Sequence, residues 1–390
     1  MDTTTAEVRA LYERFPYPAG APELRLSCDA EALLGEVALS APRRPLEVLD
    51  AGCGRGLGLV GAAAIQPDVR FTGVDLSRAS LADAQASVKR MELANVRLAA
   101  VDLTTLEGLE VPPGGFDVIH SSGVVHHMAD PAAGLRRLGG VLAPHGVLVL
   151  MVYARAGRER YAKVTQVIDA IAPRGEPVAE RLAQARPVVT ALAATHEAFA
   201  EAARVDDVEF VDRYLHVQEV SYDLEGLRQW VREAGLEVLR WCDPDYWTTP
   251  PLPNLPQTVD SDAVVAAVKA PRVFELLLVH PGNGPRAPLT AESVAQSRFR
   301  VSTEGTFELV TRCTPNDVRQ EALRFRAASG RVHTLTGVLA VAGLCLREQR
   351  GAFTGAEFRD ALVGFGTTGA DAGMALAECF RIGMIVRLPD

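Results

Sequence analysis

Three glycines at alternate positions follow a short apolar run in Val48-Leu49-Asp50-Ala51-Gly52-Cys53-Gly54-Arg55-Gly56. Glycine lets the backbone turn tightly and lets a ligand approach it closely. The helix expected next, over residues 57–65, offers free N–H groups at its start. Glycines also serve ordinary turns and packing. A strand before and a helix after are the context that a nucleotide-type cofactor site needs. A second candidate is Gly73-Val74-Asp75-Leu76-Ser77, at the end of a second strand. A carboxylate there can accept both hydroxyls of a ribose, or it can cap the next helix. A third is Val101-Asp102-Leu103, after a third strand. Asp102 either meets the cofactor or stands in an exposed loop.

The spacing Gly52-x-Gly54-x-Gly56 departs from the G-x-G-x-x-G of dinucleotide sites. With Asp50 ahead of it, it resembles the first motif of the class I S-adenosylmethionine (SAM) dependent methyltransferases, acidic-x-Gly-x-Gly-x-Gly. The resemblance is strong over residues 46–154 and weak over 212–281. It extends to His120-Ser121-Ser122-Gly123-Val124-Val125-His126-His127, followed by Asp130-Pro131 and Leu142-Ala143-Pro144-His145-Gly146. It implies a Rossmann-like seven-stranded sheet. It also implies that Asp50, Gly52 and Gly54 line the amino-acid end of SAM, that Asp75 holds the ribose and that Asp102 meets the adenine. Cys53, Leu76 and Leu103 flank these positions and count with the cofactor site. Ser121 and Ser122 would face the methyl-transfer site. The lead-in Tyr12-Glu13-Arg14-Phe15-Pro16-Tyr17-Pro18 is similar to a Tyr-x-x-Phe-Pro-Tyr-Pro segment of a bacterial subgroup, some of whose members act on proteins. Tyr12 on the cofactor and Tyr17 toward the acceptor would then form an aromatic flap; otherwise the segment packs on the core.

Acceptor-side candidates come next. Adjacent residues on a helix point in different directions, so His126 and His127 seldom share one ion. With no third ligand visible, no metal is expected. Either histidine can act as a general base or touch the cofactor. Asp212-Arg213-Tyr214-Leu215-His216 and the stretch to Tyr222 lie between a helical insertion and the sixth strand, where this fold commonly faces its acceptor. His126, His127, His216 and Tyr17 are therefore the catalytic candidates, with Tyr214 and Tyr222 at the acceptor site or its rim.

These residues need elements to position them. Strands are expected over residues 46–50, 70–74, 96–101, 116–121, 147–153, 236–241 and 273–280. Helices are expected over 57–65, 81–91, 131–142 and 224–234, with a cluster of helices over 155–210. Strands alternating with helices imply a parallel sheet covered on both faces. The lead-in, residues 1–45, carries short helices ending near Arg14, with Thr5 as cap, and over 30–39. Residues 244–259, with five prolines, read as a loop, and 281–288 as a linker. Residues 290–390 then form a small accessory domain, mainly helical and suited to a winged-helix module, with helices over 315–328, 335–347, 355–362 and 371–380 and a strand over 382–388.

Composition narrows the function classes. The 390 residues suggest two or three domains at roughly 100–200 residues each. Hydrophobic residues make up 48% and the net charge is -9. No global basic field draws the chain to nucleic acid or an anionic membrane. Residues 290–390 hold 12 Arg against 11 Asp and Glu, which is not the excess of a DNA reader. No run of about 18 apolar residues predicts a membrane span. The N-terminus is polar, and the six cysteines form no C-x-x-C pair. Reduced thiols and a cytoplasmic location are expected. The function expected is methyl transfer from SAM to an O or N nucleophile, with a peptide or protein as acceptor. A small secondary metabolite is the alternative acceptor. A third reading is a SAM-binding regulator whose C-terminal module binds DNA or a partner. That module can equally serve homodimerisation.

Overall fold

The computed structural model describes residues 2–19, 27–37, 44–247, 259–314, 317–327 and 331–389. They form two compact units. One is Met1–Cys28 with Pro45–Gly282, the other Asp29–Arg44 with Asn283–Asp390.

The first unit is a Rossmann-like sheet of seven strands. They are β1 (Leu46–Ala51), β2 (Val69–Asp75), β3 (Val96–Ala100), β4 (Phe116–Ser122), β5 (Leu142–Tyr153), β6 (Glu237–Trp241) and β7 (Val273–Val279). Their order is β3-β2-β1-β4-β5-β7-β6. The first five run parallel, and β7 is antiparallel to both neighbours. Strands covered on both faces read as unbroken apolar runs. Leu276, Leu277, Leu278 and Val279 of β7 are accordingly all buried. Because β1 lies between β2 and β4, the chain leaves it in opposite directions on its two sides. That reversal opens a crevice beyond the strands' C-terminal ends.

Local chemistry moves several expected boundaries. Asp2, not Thr5, caps the helix Thr3–Arg14, accepting from the Thr5 N–H at 2.9 Å. The helix expected over 30–39 covers Ala30–Leu34; residues 38 and 39 lie outside the described set. β5 begins at Leu142 rather than 147, so Pro144 lies within it. The pairing with β4 shifts register between Phe116 and Val118, an irregularity that tolerates a residue without an N–H. The expected loop 244–259 contains the helix Pro244–Trp247, and Trp247 stacks on Trp241 with ring centroids 3.7 Å apart. Residues 248–258 lie outside the described set. Sequence reading missed the helix Ser261–Lys269, although Asp260 caps it through the Asp262 and Ala263 N–H groups. The insertion forms helices that include Ala162–Ile171, Val178–Ala193 and Asp207–Tyr214. Ile168, Val189 and Phe210 pack there with Leu11 of the first helix.

In the second unit, the helices Gly337–Glu348, Gly355–Gly364 and Gly369–Arg381 share a core with Phe299 and Phe325. β12 (Phe353–Thr354) and β13 (Ile385–Arg387) flank β8 (Arg298–Val301). A second sheet joins β9 (Thr306–Thr314), β10 (Asp317–Arg326) and β11 (Val332–Leu335). β10 overturns the helix expected over 315–328. Leu323 and Phe325 are buried while Arg324 and Arg326 are exposed, a period of two that suits a strand. No helix of the described residues is long and apolar enough to cross a membrane.

Candidate active site

The glycine turn sits where β1 ends beside β2. Gly52 has φ +87° and Gly54 φ +52°, in the left-handed region that disfavours side chains. The Gly52 and Cys53 N–H groups both donate to the Val74 carbonyl, at 2.8 and 2.9 Å. The Gly54 N–H donates to Asp75 Oδ2 at 2.8 Å. Asp75 Oδ1 accepts from the Ser77 N–H at 2.8 Å. The cap of the next helix is therefore Ser77, whose hydroxyl accepts from the Ser80 N–H at 3.1 Å. Burial pushes the Asp75 carboxyl up, partly offset by these N–H donors. Asp102 follows β3, and its Oδ1 accepts from the Thr104 N–H and hydroxyl at 2.8 and 2.5 Å.

Gly52, Gly54, Asp75 and Asp102 line one cavity of about 340 Å³, as do Leu76 and Leu103. A carboxylate has about four acceptor positions. The bonds above use two on Asp75 and two on Asp102. Both carboxylates keep capacity for donors on a ligand, and this fits ribose hydroxyls and an amino group.

Three expected cofactor residues do not line this cavity. Asp50 is buried and approaches His120 Nδ1 at 3.4 Å. Cys53 packs beside Gly73, and burial pushes its thiol up. The buried Ser121 hydroxyl donates to the Ala51 carbonyl at 3.1 Å. Successive strand residues face opposite ways, so Ser122 lines the cavity where Ser121 cannot.

The cavity's other end is polar and aromatic, lined by Tyr12, Tyr17, Tyr153, His127 and Asp212. One residue, Gln218, fixes two imidazoles. Its carbonyl accepts from His127 Nδ1 at 2.8 Å, and its N–H donates to His216 Nδ1 at 3.1 Å. His127 thus carries its proton on Nδ1, and His216 carries its own on Nε2. The two rings stack with centroids 3.7 Å apart. His216 Nε2–H donates to the Tyr12 hydroxyl at 3.2 Å, which donates to Asp212 Oδ1 at 3.0 Å. The Tyr153 hydroxyl points to Asp212 Oδ2 at 3.5 Å.

Burial dominates the electrostatics here. It pushes the Asp212 carboxyl up to about 6, against the hydrogen bond from Tyr12. It pushes His127 down to about 4, and His126 and His216 well below the ordinary range. It also raises the Tyr12, Tyr17 and Tyr153 hydroxyls, leaving them as donors. The Arg158 guanidinium lies 4.7 Å over the Tyr153 ring and donates to Glu219 at 2.6 Å.

His126 and His216 do not line the cavity. The His126 ring packs 4.1 Å from that of Tyr153 and 4.2 Å from that of His127, and both its nitrogens are unpartnered among the described residues. Tyr214 and Tyr222 pack away from it, on Tyr161 and Trp230. Sequence reading missed Asp212, Tyr153 and Gln218. Asp212 and Gln218 lie within the Asp212 to Tyr222 stretch already singled out, but its polarity alone does not tell which of its side chains meet the cavity. It also missed that His127, Asp212 and His216 bring a donor atom each within 4.8 Å of one another, a set able to meet one metal ion. Both nitrogens of His216 are engaged here, Nδ1 by the Gln218 N–H and Nε2 by the Tyr12 hydroxyl.

Residues 49–148 match the family model described as a methyltransferase domain. An uncharacterised protein of Synechococcus is 32% identical over 63% of this chain, which spans 62% of that relative's length. Trans-aconitate 2-methyltransferase of Methylobacterium radiotolerans is 31% identical over 61% of this chain and 83% of its own. PKMT2 from Rickettsia typhi, solved in complex with AdoHcy, shares the fold at TM-score 0.67 and 15% identity, over 95% of this chain and 77% of its own. Together with the glycine turn and its acidic partner on β2, these likenesses show that the chain belongs to the SAM-dependent methyltransferases.

Proposed function

We propose that this methyltransferase places its methyl group on an amine nitrogen of a peptide or protein. One observation carries the reading: the cavity end beyond the glycine turn holds a buried carboxylate, Asp212, among three tyrosines. A carboxylate attracts an ammonium or accepts from an N–H, and tyrosine faces attract a cation. SAM supplies a methyl group on a sulfonium, already activated for displacement. Gly52 and Gly54 cradle its amino-acid end, with Leu76 and Leu103 alongside. Asp75 accepts from the ribose and Asp102 from the adenine amino group. Tyr12 and Tyr17 cover the junction of the two ends. Holding acceptor and methyl in line and excluding water is the chain's main contribution, worth roughly 7–11 kcal/mol in favourable cases.

The small-molecule reading has its own observation, since the trans-aconitate enzyme is a sequence relative. An acid acceptor would meet repulsion from Asp212 whenever that carboxyl is ionised. The test is transfer of labelled methyl from SAM to two pools, one of lysine-containing peptides and one of small acids and phenols. Label in the peptides supports the proposal. Label only in the second pool overturns it.

A further inference from the structure

We propose that Glu13 is a positioning residue for the cofactor: its carboxylate latches the first helix over the cavity and governs how fast SAM enters and leaves. The role rests on SAM lying along Asp75, as read above, and involves no acceptor.

The first helix, Thr3–Arg14, meets two neighbours. Thr5, Val8 and Tyr12 recur at helical spacing and line the cavity, as does Tyr17 beyond the helix end. Glu13 follows Tyr12 and, at about 3.6 residues per turn, leaves the helix in a different direction. It reaches the start of the helix Arg78–Arg90, just beyond Asp75 in the chain. The first N–H groups of a helix have no partner within it and form its positive end. Glu13 Oε1 accepts from the Arg78 N–H at 2.7 Å, and Oε2 from the Ala79 N–H at 3.2 Å. Ser77 takes the next donor, the Ser80 N–H. Capping groups ordinarily come from residues beside the helix. Here the cap is completed by a carboxylate 65 positions away, so it fixes one element against another.

Two further bonds run beside this one. The Ser77 hydroxyl donates to the Tyr12 carbonyl at 3.3 Å, while the Ser77 N–H donates to Asp75. Arg55, in the glycine turn, donates to the Pro18 carbonyl at 2.6 Å. The lead-in is thus tied to the turn after β1 and to the loop after β2. At the acceptor end it is tied by the Tyr12 hydroxyl on Asp212. A cofactor held between Asp75 and Tyr12 cannot pass the first helix until these ties open. Of the three ties to the cofactor end, Glu13 makes two bonds to a charged acceptor and is the firmest. Its side chain is also 33% exposed, so it can let go into water without leaving a charge buried.

The test follows labelled SAM on the full-length protein, with association read by rapid filtration and release by a chase of unlabelled SAM. Glu13→Ala is expected to speed both by about 3- to 10-fold, the worth of a charge at a helix start. Because both rates rise, Kd moves less than either. Glu13→Gln, which keeps one acceptor oxygen without the charge, is expected to fall between. Salt screens a charge near the surface, so about 1 M salt should speed release from the wild type more than from Glu13→Ala. Exchange of the Arg78 and Ala79 amides reads the latch with no cofactor present, and it is expected to quicken in Glu13→Ala. Wild-type SAM rates in Glu13→Ala overturn the proposal, whatever the exchange shows. A lowered unfolding midpoint with unchanged rates marks a surface cap only and overturns it too. If Asp75→Ala weakens SAM binding while the Glu13 variants keep wild-type rates, the latch fails alone. If Asp75→Ala binds SAM as tightly as the wild type, the cofactor placement fails, and this role with it.

Discussion

The main-chain N–H of Gly54 donates to Oδ2 of Asp75 at 2.8 Å, tying the glycine turn after β1 to the last residue of β2. The two residues belong to different loops of the sheet's crevice, yet this bond makes them one surface. Its loss therefore disturbs both the carboxylate and the backbone cradle.

Gly52 is predicted to resist any side chain. A Cβ there would lie 2.2 Å from Val124 Cγ2, on a backbone with φ +87°. Gly52→Ala combines left-handed strain with overpacking and should cost about 2–5 kcal/mol in denaturant unfolding. Adding Val124→Ala should return the steric part but not the backbone part. A Gly52→Ala protein as stable as the wild type would refute this packing.

Stability should depend on pH through the site's buried groups. His127, held down to about 4 when folded, stabilises the fold above its unfolded value of 6.5, and that contribution is lost as pH falls toward 4. Asp212 behaves oppositely. Its raised carboxyl favours the fold at low pH, and the contribution disappears as pH rises from 3.8 to about 6. Asp212→Asn should then be more stable than wild type above pH 6, by at most about 3 kcal/mol, with the gain fading toward pH 4. His127→Gln should flatten the loss of stability between pH 6.5 and 4. Midpoints of urea unfolding against pH check both directions.

In the second unit, Asp29 is buried and accepts from the Ala32 N–H at 3.1 Å, the Thr303 hydroxyl at 2.9 Å and the Arg300 guanidinium. Asp29→Ala removes three bonds and leaves the Arg300 guanidinium with Glu31 at 3.5 Å. It should cost that unit about 1–3 kcal/mol. Hydrogen exchange at residues 298–301 should accelerate accordingly, and unchanged exchange would contradict the role.

Much of the first unit was legible because its signals are local. Unbroken apolar runs mark strands buried on both faces, and Gly52, Gly54 and Asp75 lie within single turns of their strands. What escaped depends on partners distant in the chain. Tyr12 reaches Asp212 across 200 positions, and Arg300 reaches Asp29 across 271. No local pattern announces such pairs. The strand β10 was misread because Arg324 and Arg326 also suit a helix surface; only pairing with β9 and β11 shows its period of two. Asp50, Cys53 and Ser121 carry motif identity but do not line the cavity, because spacing specifies a turn and not the direction of each side chain.

The most direct test is isothermal titration of SAM into the wild type and Asp75→Ala. One molecule should bind per wild-type chain. The variant should lose about 10- to 100-fold in affinity, the worth of hydrogen bonds to a charged acceptor. No binding by the wild type, or equal affinity in the variant, would contradict a cofactor site built on Gly54 and Asp75.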